Sequence, residues 1–249
     1  MDFRLENIFK SHQESQFVIV PITTDQHRAE VLSFMQSQFR VQEPITNALS
    51  LLIKKADKNL LECSAQDTLP FYKDICSSCF KFDLSMLVHD HLGQLIGISL
   101  NSLWKANTKI SQSLKLMKNK EACQAIRNGP YPGLENANRL VVFLEMVESE
   151  LNSILNDECV LKLEIIAVHP FMGIASNLIK KCIEIANHIN CSHIVTCATA
   201  VGSQNLFRKM GFETVHKVLF EDFLEEGVPV FRNLQDNGRG AELMIYKLN

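Results

Sequence analysis

The segment that most limits what this chain can fold into runs from Cys159 to Ile189. Cys159 to Val168 is a nearly unbroken apolar run, the pattern of a strand buried on both faces. It ends at His169-Pro170, and from Gly173 to Ile189 apolar residues recur at helical spacing. A helix that starts just beyond a buried strand presents unpaired N–H groups and the positive end of its dipole. That end binds phosphate without any side chain. Gly173 lets a ligand approach the backbone, and Ala175 and Ser176 leave room beside it. The plain alternative is an ordinary strand–helix unit whose helix start needs a Gly.

The other elements follow from periodicity. Phe17 to Ile22 reads as an edge strand carrying a Pro, and Gln26 to Phe39 as an amphipathic helix. Ile45 to Ile53 and 67 to 81 read as shorter helices, and Ser85 to His89 and Leu95 to Leu100 as a hairpin around Asp90-His91-Leu92-Gly93. Residues 105 to 135 read as a polar surface excursion with some helix, and Asn136 to Leu155 as one long amphipathic helix. After the central unit come a strand at 192 to 197, a helix at 203 to 210, and strands at 213 to 219 and 242 to 248. This order predicts one α/β (α+β) domain with a mixed central sheet over residues 16–249, preceded by a loose arm, 1–15.

Composition narrows the function. The 249 residues carry a formal charge of −3, which gives no reason to expect nucleic acid or an acidic membrane as partner. No apolar run approaches twenty residues, and the polar start MDFRLENIFKSHQESQ lacks the apolar stretch of a secretion signal, so a cytoplasmic protein is expected. The eight Cys are scattered. Cys76 and Cys79 form a lone C-x-x-C with no second pair at zinc spacing, so structural thiols and no bound metal are expected.

A second segment sharpens the reading. VHPFMGIASNLI at 168–179 is followed by LFRKMGF at 206–212, which opens another strand. Together they resemble the coenzyme motif and the segment after it in the GNAT superfamily of acyl-CoA-dependent N-acyltransferases. FRVQEPITNAL at 39–49, LSMLVHDHLGQLIG at 84–97, VLFEDF at 218–223 and ELMIYK at 242–247 resemble segments of the invertebrate-type arylalkylamine N-acetyltransferases.

The resemblance implies a GNAT-like sheet in which the parallel strands at 160–168 and 192–198 splay apart around the pantetheine arm of acetyl-CoA. Ile166, Ala167 and Val168 would then contact the arm, and Met172, Gly173, Ile174, Ala175 and Ser176 would hold the pyrophosphate. An arylalkylamine such as dopamine, serotonin or tryptamine would attack the thioester directly in a ternary complex, on a monomeric enzyme. Glu43 would be the base and Ser203 a second catalytic group. Residue chemistry also allows Glu43 to be an exposed helix cap and Ser203 a helix N-cap. Glu164 is the alternate base, or else a salt-bridged strand residue. His169 and His193 are placed beside the cleft, and Phe39, Phe71, Tyr72 and Trp104 are candidates for an aromatic amine pocket.

The chain also departs from the pattern. The turn from Val168 to Gly173 is about three residues short and lacks the Arg or Gln and the first Gly. Charge-assisted hydrogen bonds contribute about 1.5–3 kcal/mol each, so losing one or two weakens binding roughly ten- to a thousandfold. Lys180, Lys181, Arg208 and Lys209 are candidates to compensate. Phe207 stands where many superfamily members carry Tyr, and a phenyl ring donates no proton. No serine stands at Ala198-Thr199, where the resemblance places a second one. Two alternatives therefore stay open: a non-catalytic GNAT-fold binding module, and acylation of a polyamine or protein lysine. Acidic residues lining the amine side would favour the polyamine.

Overall fold

The computed structural model describes residues 8–9, 17–54, 61–104, 119–155, 159–169 and 173–248. The expected arm therefore lies outside the described residues apart from Ile8 and Phe9, which pack on the core; the carbonyl of Ile8 accepts from Lys181 Nζ at 2.7 Å.

Among the described residues the sheet has seven strands. In chain order they are β1 (Phe17–Pro21), β2 (Met86–Asp90), β3 (Leu95–Trp104), β4 (Val160–Val168), β5 (His193–Ala198), β6 (Glu213–Leu219) and β9 (Gly240–Lys247). Their spatial order is β1-β2-β3-β4-β5-β9-β6, and only β4 and β5 run parallel. A separate two-residue hairpin, β7 (Leu224–Glu225) with β8 (Val228–Pro229), occupies the late excursion. The expected mixed α/β sheet is present.

One face of the sheet is covered by α1 (Asp25–Phe34), α3 (Pro44–Lys54), α4 (Leu61–Cys79), α5 (Asn119–Arg127) and α6 (Glu135–Glu148). The other carries α8 (Ile174–His188) and α9 (Val201–Lys209). The helix expected from Gln26 continues past α1 through a π-helical turn, Met35–Phe39, into α2 (Arg40–Gln42). The third expected helix is longer than its pattern: α4 begins at Leu61 and carries Pro70 inside it.

The long helix expected at 136–155 is instead two pieces, α6 and the short α7 (Leu151–Ile154). Ser149 breaks it. Its hydroxyl donates to the Met146 carbonyl at 2.8 Å, and its N–H bonds the same oxygen at 3.3 Å. That tightens the last turn and competes with the helical ladder.

The apolar run in β4 conceals a change of face. The β3–β4 register passes from Leu100↔Ile165 to Asn101↔Leu163, so Glu164 is the extra residue of a β-bulge. Leu161 and Leu163 face the α8 side of the sheet, whereas Ile165 and Ala167 face the α6 side. The β4–β5 ladder ends at Leu163↔Thr196, directly before this bulge. Bulges bend the strand that carries them. Here the bend coincides with the point where the two parallel strands part.

Candidate active site

Beyond Leu163 and Thr196 the parted strands border an open cleft. Ile166, Ala167 and Val168 line one wall, Cys197, Ala198 and Thr199 the other, and Ala175 and Ser203 lie at the helix ends. A smaller inner pocket adjoins it and shares Phe39, Glu43, Glu164, Cys197 and Thr199 with the cleft.

Glu43 precedes α3, with extended backbone at the N-cap position and Pro44 as the first helical residue. Pro suits that place because its missing N–H has no helical partner there. Glu43 Oε2 accepts from the N–H and hydroxyl of Thr46 at 2.7 and 2.6 Å, and Oε1 from the Ile45 N–H at 3.3 Å. Thr199 Oγ1 donates to Oε1 at 2.8 Å from across the molecule. Because Thr46 donates to Glu43, the tyrosyl hydroxyl of Tyr72 is the donor in its short bond to Thr46. Glu43 is thus a helix cap, as one reading expected, but it is buried rather than exposed, at 8% accessibility. Burial raises its pKa, and the bonds from Thr46, Thr199 and Ile45 only partly oppose this.

Ser203 lies in the first turn of α9, not at its N-cap. Its hydroxyl donates to the Ala200 carbonyl at 2.8 Å, while Asp236 caps the helix by accepting from the Val201 N–H at 2.8 Å. Gly173 is the N-cap of α8 and takes the left-handed conformation, φ +63°, with open space where a Cβ would stand. Its carbonyl accepts from Ser176 Oγ at 2.8 Å. Ile174 is buried in the core at 1%, so only its backbone is available to a ligand. Met172 lies outside the described residues.

Several expected residues stand elsewhere. His193 pairs with Val160 and Lys247 at the end of β5 away from the cleft, and Trp104 pairs with Val160 at that same end. The apolar run carries no mark of which end opens. His169 closes β4, its N–H bonded to the Ile96 carbonyl at 2.8 Å. Phe39, Phe71 and Tyr72 do line the inner pocket, in edge contacts at 5.7 and 5.1 Å. Phe207 is buried against Phe212 at 5.0 Å and borders the cleft. Two of the candidate compensating cations are engaged: Lys181 with Glu184 and the Ile8 carbonyl, and Arg208 with Glu242.

Glu164 is salt-bridged, as its plain reading expected. Lys162 Nζ stands 3.0 Å from Glu164 Oε2 and 2.9 Å from Glu148 Oε2, and Ser102 Oγ donates to Glu164 Oε1 at 2.7 Å. Burial works against the Lys162 ammonium, but the two carboxylates outweigh it and hold its pKa above the usual value. Burial raises the pKa of Glu148, and Lys162 pulls it back. Cys197 borders both spaces. Burial first, then Glu148, keep its thiol far above the usual pKa, so it is protonated and a poor nucleophile. Cys76 and Cys79 are buried free thiols within α4; burial pushes Cys76 up to about 12. Among the described residues no group of three or more His, Cys, Asp or Glu is placed to hold a metal ion. None of the described helices is long and apolar enough to cross a membrane.

Sequence reasoning missed Thr199, Glu148 and Lys162. A search for serine passed over Thr199, although a threonine hydroxyl has the same donor and acceptor capacity. Lys162 alternates with Glu164 along an apolar strand, and a buried charge in such a run signals a polar pocket.

Residues 117–212 match the family model described as Acetyltransferase (GNAT) family. No curated protein matches the chain. Among solved structures it is similar to arylalkylamine N-acetyltransferase 2 from Aedes aegypti, at 17% identity and a TM-score of 0.67, covering 94% of this chain and 100% of that one. The C-terminal condensation domain of Ebony, solved in complex with beta-alanyl-dopamine, gives 19% identity and a TM-score of 0.67 over 94% and 100%. The Drosophila melanogaster polyamine N-acetyltransferase, which catalyses formation of N-acetylagmatine, gives 12% and 0.63 over 93% and 100%. The matched segment covers less than half of the chain; with the parted parallel strands it gives the chain a GNAT-like α/β fold. At these identities the likeness to the insect structures is one of fold.

Proposed function

We propose that this chain is an acyl-CoA-dependent N-acetyltransferase that acylates a small primary amine, an arylalkylamine such as dopamine, serotonin or tryptamine. The observation that carries this reading is Glu43, a buried carboxylate of raised pKa where an aromatic pocket opens into the cleft between the parted strands. The donor's pantetheine arm lies along Ile166, Ala167 and Val168, and its pyrophosphate meets the start of α8 at Gly173 to Ser176. The amine's carbon skeleton packs against Phe39, Phe71 and Tyr72.

Amines reach the pocket as ammonium ions, and only the free amine attacks. Glu43 already accepts four hydrogen bonds, so its lone pairs are engaged. Thr199 donates to Glu43 and still has acceptor capacity. It takes the amine proton while passing its own to Glu43. The amine nitrogen then bonds to the thioester carbonyl carbon, the carbon–sulfur bond breaks, and the departing thiolate takes up the second proton that the nitrogen sheds as the amide forms. No tyrosyl acid is required, because a thiol ionises near pH 8.5.

Thr199→Val tests the relay. Its hydrogen bond favours the charged carboxylate, so removing it moves the acid limb of the rate profile to higher pH and lowers kcat. An unchanged limb and unchanged kcat would sink the relay. Calorimetric titration with acetyl-CoA tests the whole reading. Micromolar binding is expected from the cleft and the start of α8. No binding up to millimolar coenzyme would overturn the transfer reading in favour of the non-catalytic one.

A further inference from the structure

The inner pocket contains a group of three charged side chains that the transfer step does not use. Lys162, Glu148 and Glu164 form one ion-paired group whose side chains keep 16%, 23% and 19% exposure and line the pocket. Glu164 borders both the pocket and the cleft, whereas Glu148 and Lys162 line the pocket alone. The group therefore reaches from the junction, where Glu43 stands, into the inner space. Two carboxylates in such a place are what a diamine needs for its second nitrogen. Here a side chain already occupies the position between them, held at 2.9 and 3.0 Å. The remaining lining is mainly apolar, with Phe71, Ile75, Leu140 and Leu144 beside the group.

A free second ammonium has two ways in. It can displace Lys162, leaving that cation buried without its partners, at a high desolvation cost. Otherwise it sits beside Lys162 as a like charge. Either way the wrong substrate is penalised, which is how specificity is built against a competitor.

We propose that Lys162 is a specificity-determining residue, a tethered cation in the place that the second cation of a diamine or guanidinoamine would need. The pocket then admits monoamines with an uncharged, flat tail and rejects dicationic amines. This rests on the reading of the inner pocket as the amine site. Three glutamates facing that pocket would by count alone favour a polyamine, and Lys162 reverses that preference.

The test is calorimetric titration of the wild type, Lys162→Met and the double variant Lys162→Met/Glu164→Gln with tryptamine and with agmatine, coenzyme A present. The double variant keeps the formal charge of −1 that the intact group carries and lacks the cation. It reports the vacated place rather than net charge, and it avoids two unpaired carboxylates that would destabilise the single variant. The wild type is expected to prefer tryptamine by at least about tenfold, and the double variant to shift the affinity ratio toward agmatine by at least about tenfold. A wild type that prefers agmatine, binds neither amine, or has the same ratio as the folded double variant would overturn the proposal. Acetyl-CoA titration of the same samples separates the two readings. Coenzyme binding with an unmoved amine ratio defeats the role of Lys162 alone. A shifted amine ratio without coenzyme binding defeats the transfer reading alone.

Discussion

Glu43→Ala is expected to lower kcat by about 10²–10⁴-fold, the usual contribution of a positioned general base, with acetyl-CoA affinity near wild type. In the wild type, burial holds the carboxyl pKa above its ordinary range. The acid limb of the rate profile therefore lies above the ordinary carboxylate range, and the rate falls as Glu43 takes its proton. Without the carboxylate that limb disappears. The rate then follows the fraction of free amine and rises toward the amine's own pKa, so the optimum moves to alkaline pH. Stability carries a second signature. A carboxyl with a raised folded-state pKa holds a proton that the unfolded chain has lost. Wild-type stability therefore declines as pH rises from the unfolded-state carboxylate value through the raised one, and the variant loses that decline. The variant also loses the cap of α3, which costs about 0.5–2 kcal/mol. Glu43→Asp keeps a capping carboxylate with a shorter reach, so it should retain stability better than it retains turnover. Equal turnover and the same pH profile in Glu43→Ala and wild type would remove Glu43 from the chemistry.

Phe143→Ala is expected to be the most damaging of these substitutions for stability. Phe143 is fully buried, with ring centroids 5.5, 5.3 and 4.8 Å from Phe220, Phe223 and Phe231. Truncating a buried Phe costs about 3–5 kcal/mol, part lost transfer energy and part the cavity left behind. In a chain of this length that lowers the melting midpoint by roughly 6–20 °C. The damage should reach the site, because α6 also carries Leu140, Leu144 and Glu148 on the pocket wall. An increase in KM for the amine at temperatures where the variant is folded is the expected companion effect. A loss under about 1 kcal/mol would mean that the surrounding rings close the gap.

Most elements were legible because they are local. Helical and alternating periodicity placed the hairpin, the amphipathic helices and the central strand–helix unit. One polar residue changed the outcome at 149, where the Ser149 hydroxyl competes for a backbone carbonyl that periodicity alone assigns to the ladder. His193 and Trp104 were misplaced for a related reason. The apolar pattern of β4 and β5 reads the same from either end, and the end that opens is set by pairing.

By itself, the sequence determined the mixed α/β class and the buried strand with a glycine-led helix behind it, and it offered Glu43 before Pro44 as a helix cap. Each depends on neighbours within a few positions. Only the tertiary structure decided that Thr199 meets a carboxylate 156 residues earlier, that Lys162 joins Glu148 to Glu164, and that Glu164 is the bulge beside which β4 leaves β5. A one-residue bulge leaves an apolar run looking continuous while exchanging which side chains face which layer. For that reason the split that forms the cleft, and the charges lining its inner pocket, are properties of strand register rather than of any local pattern.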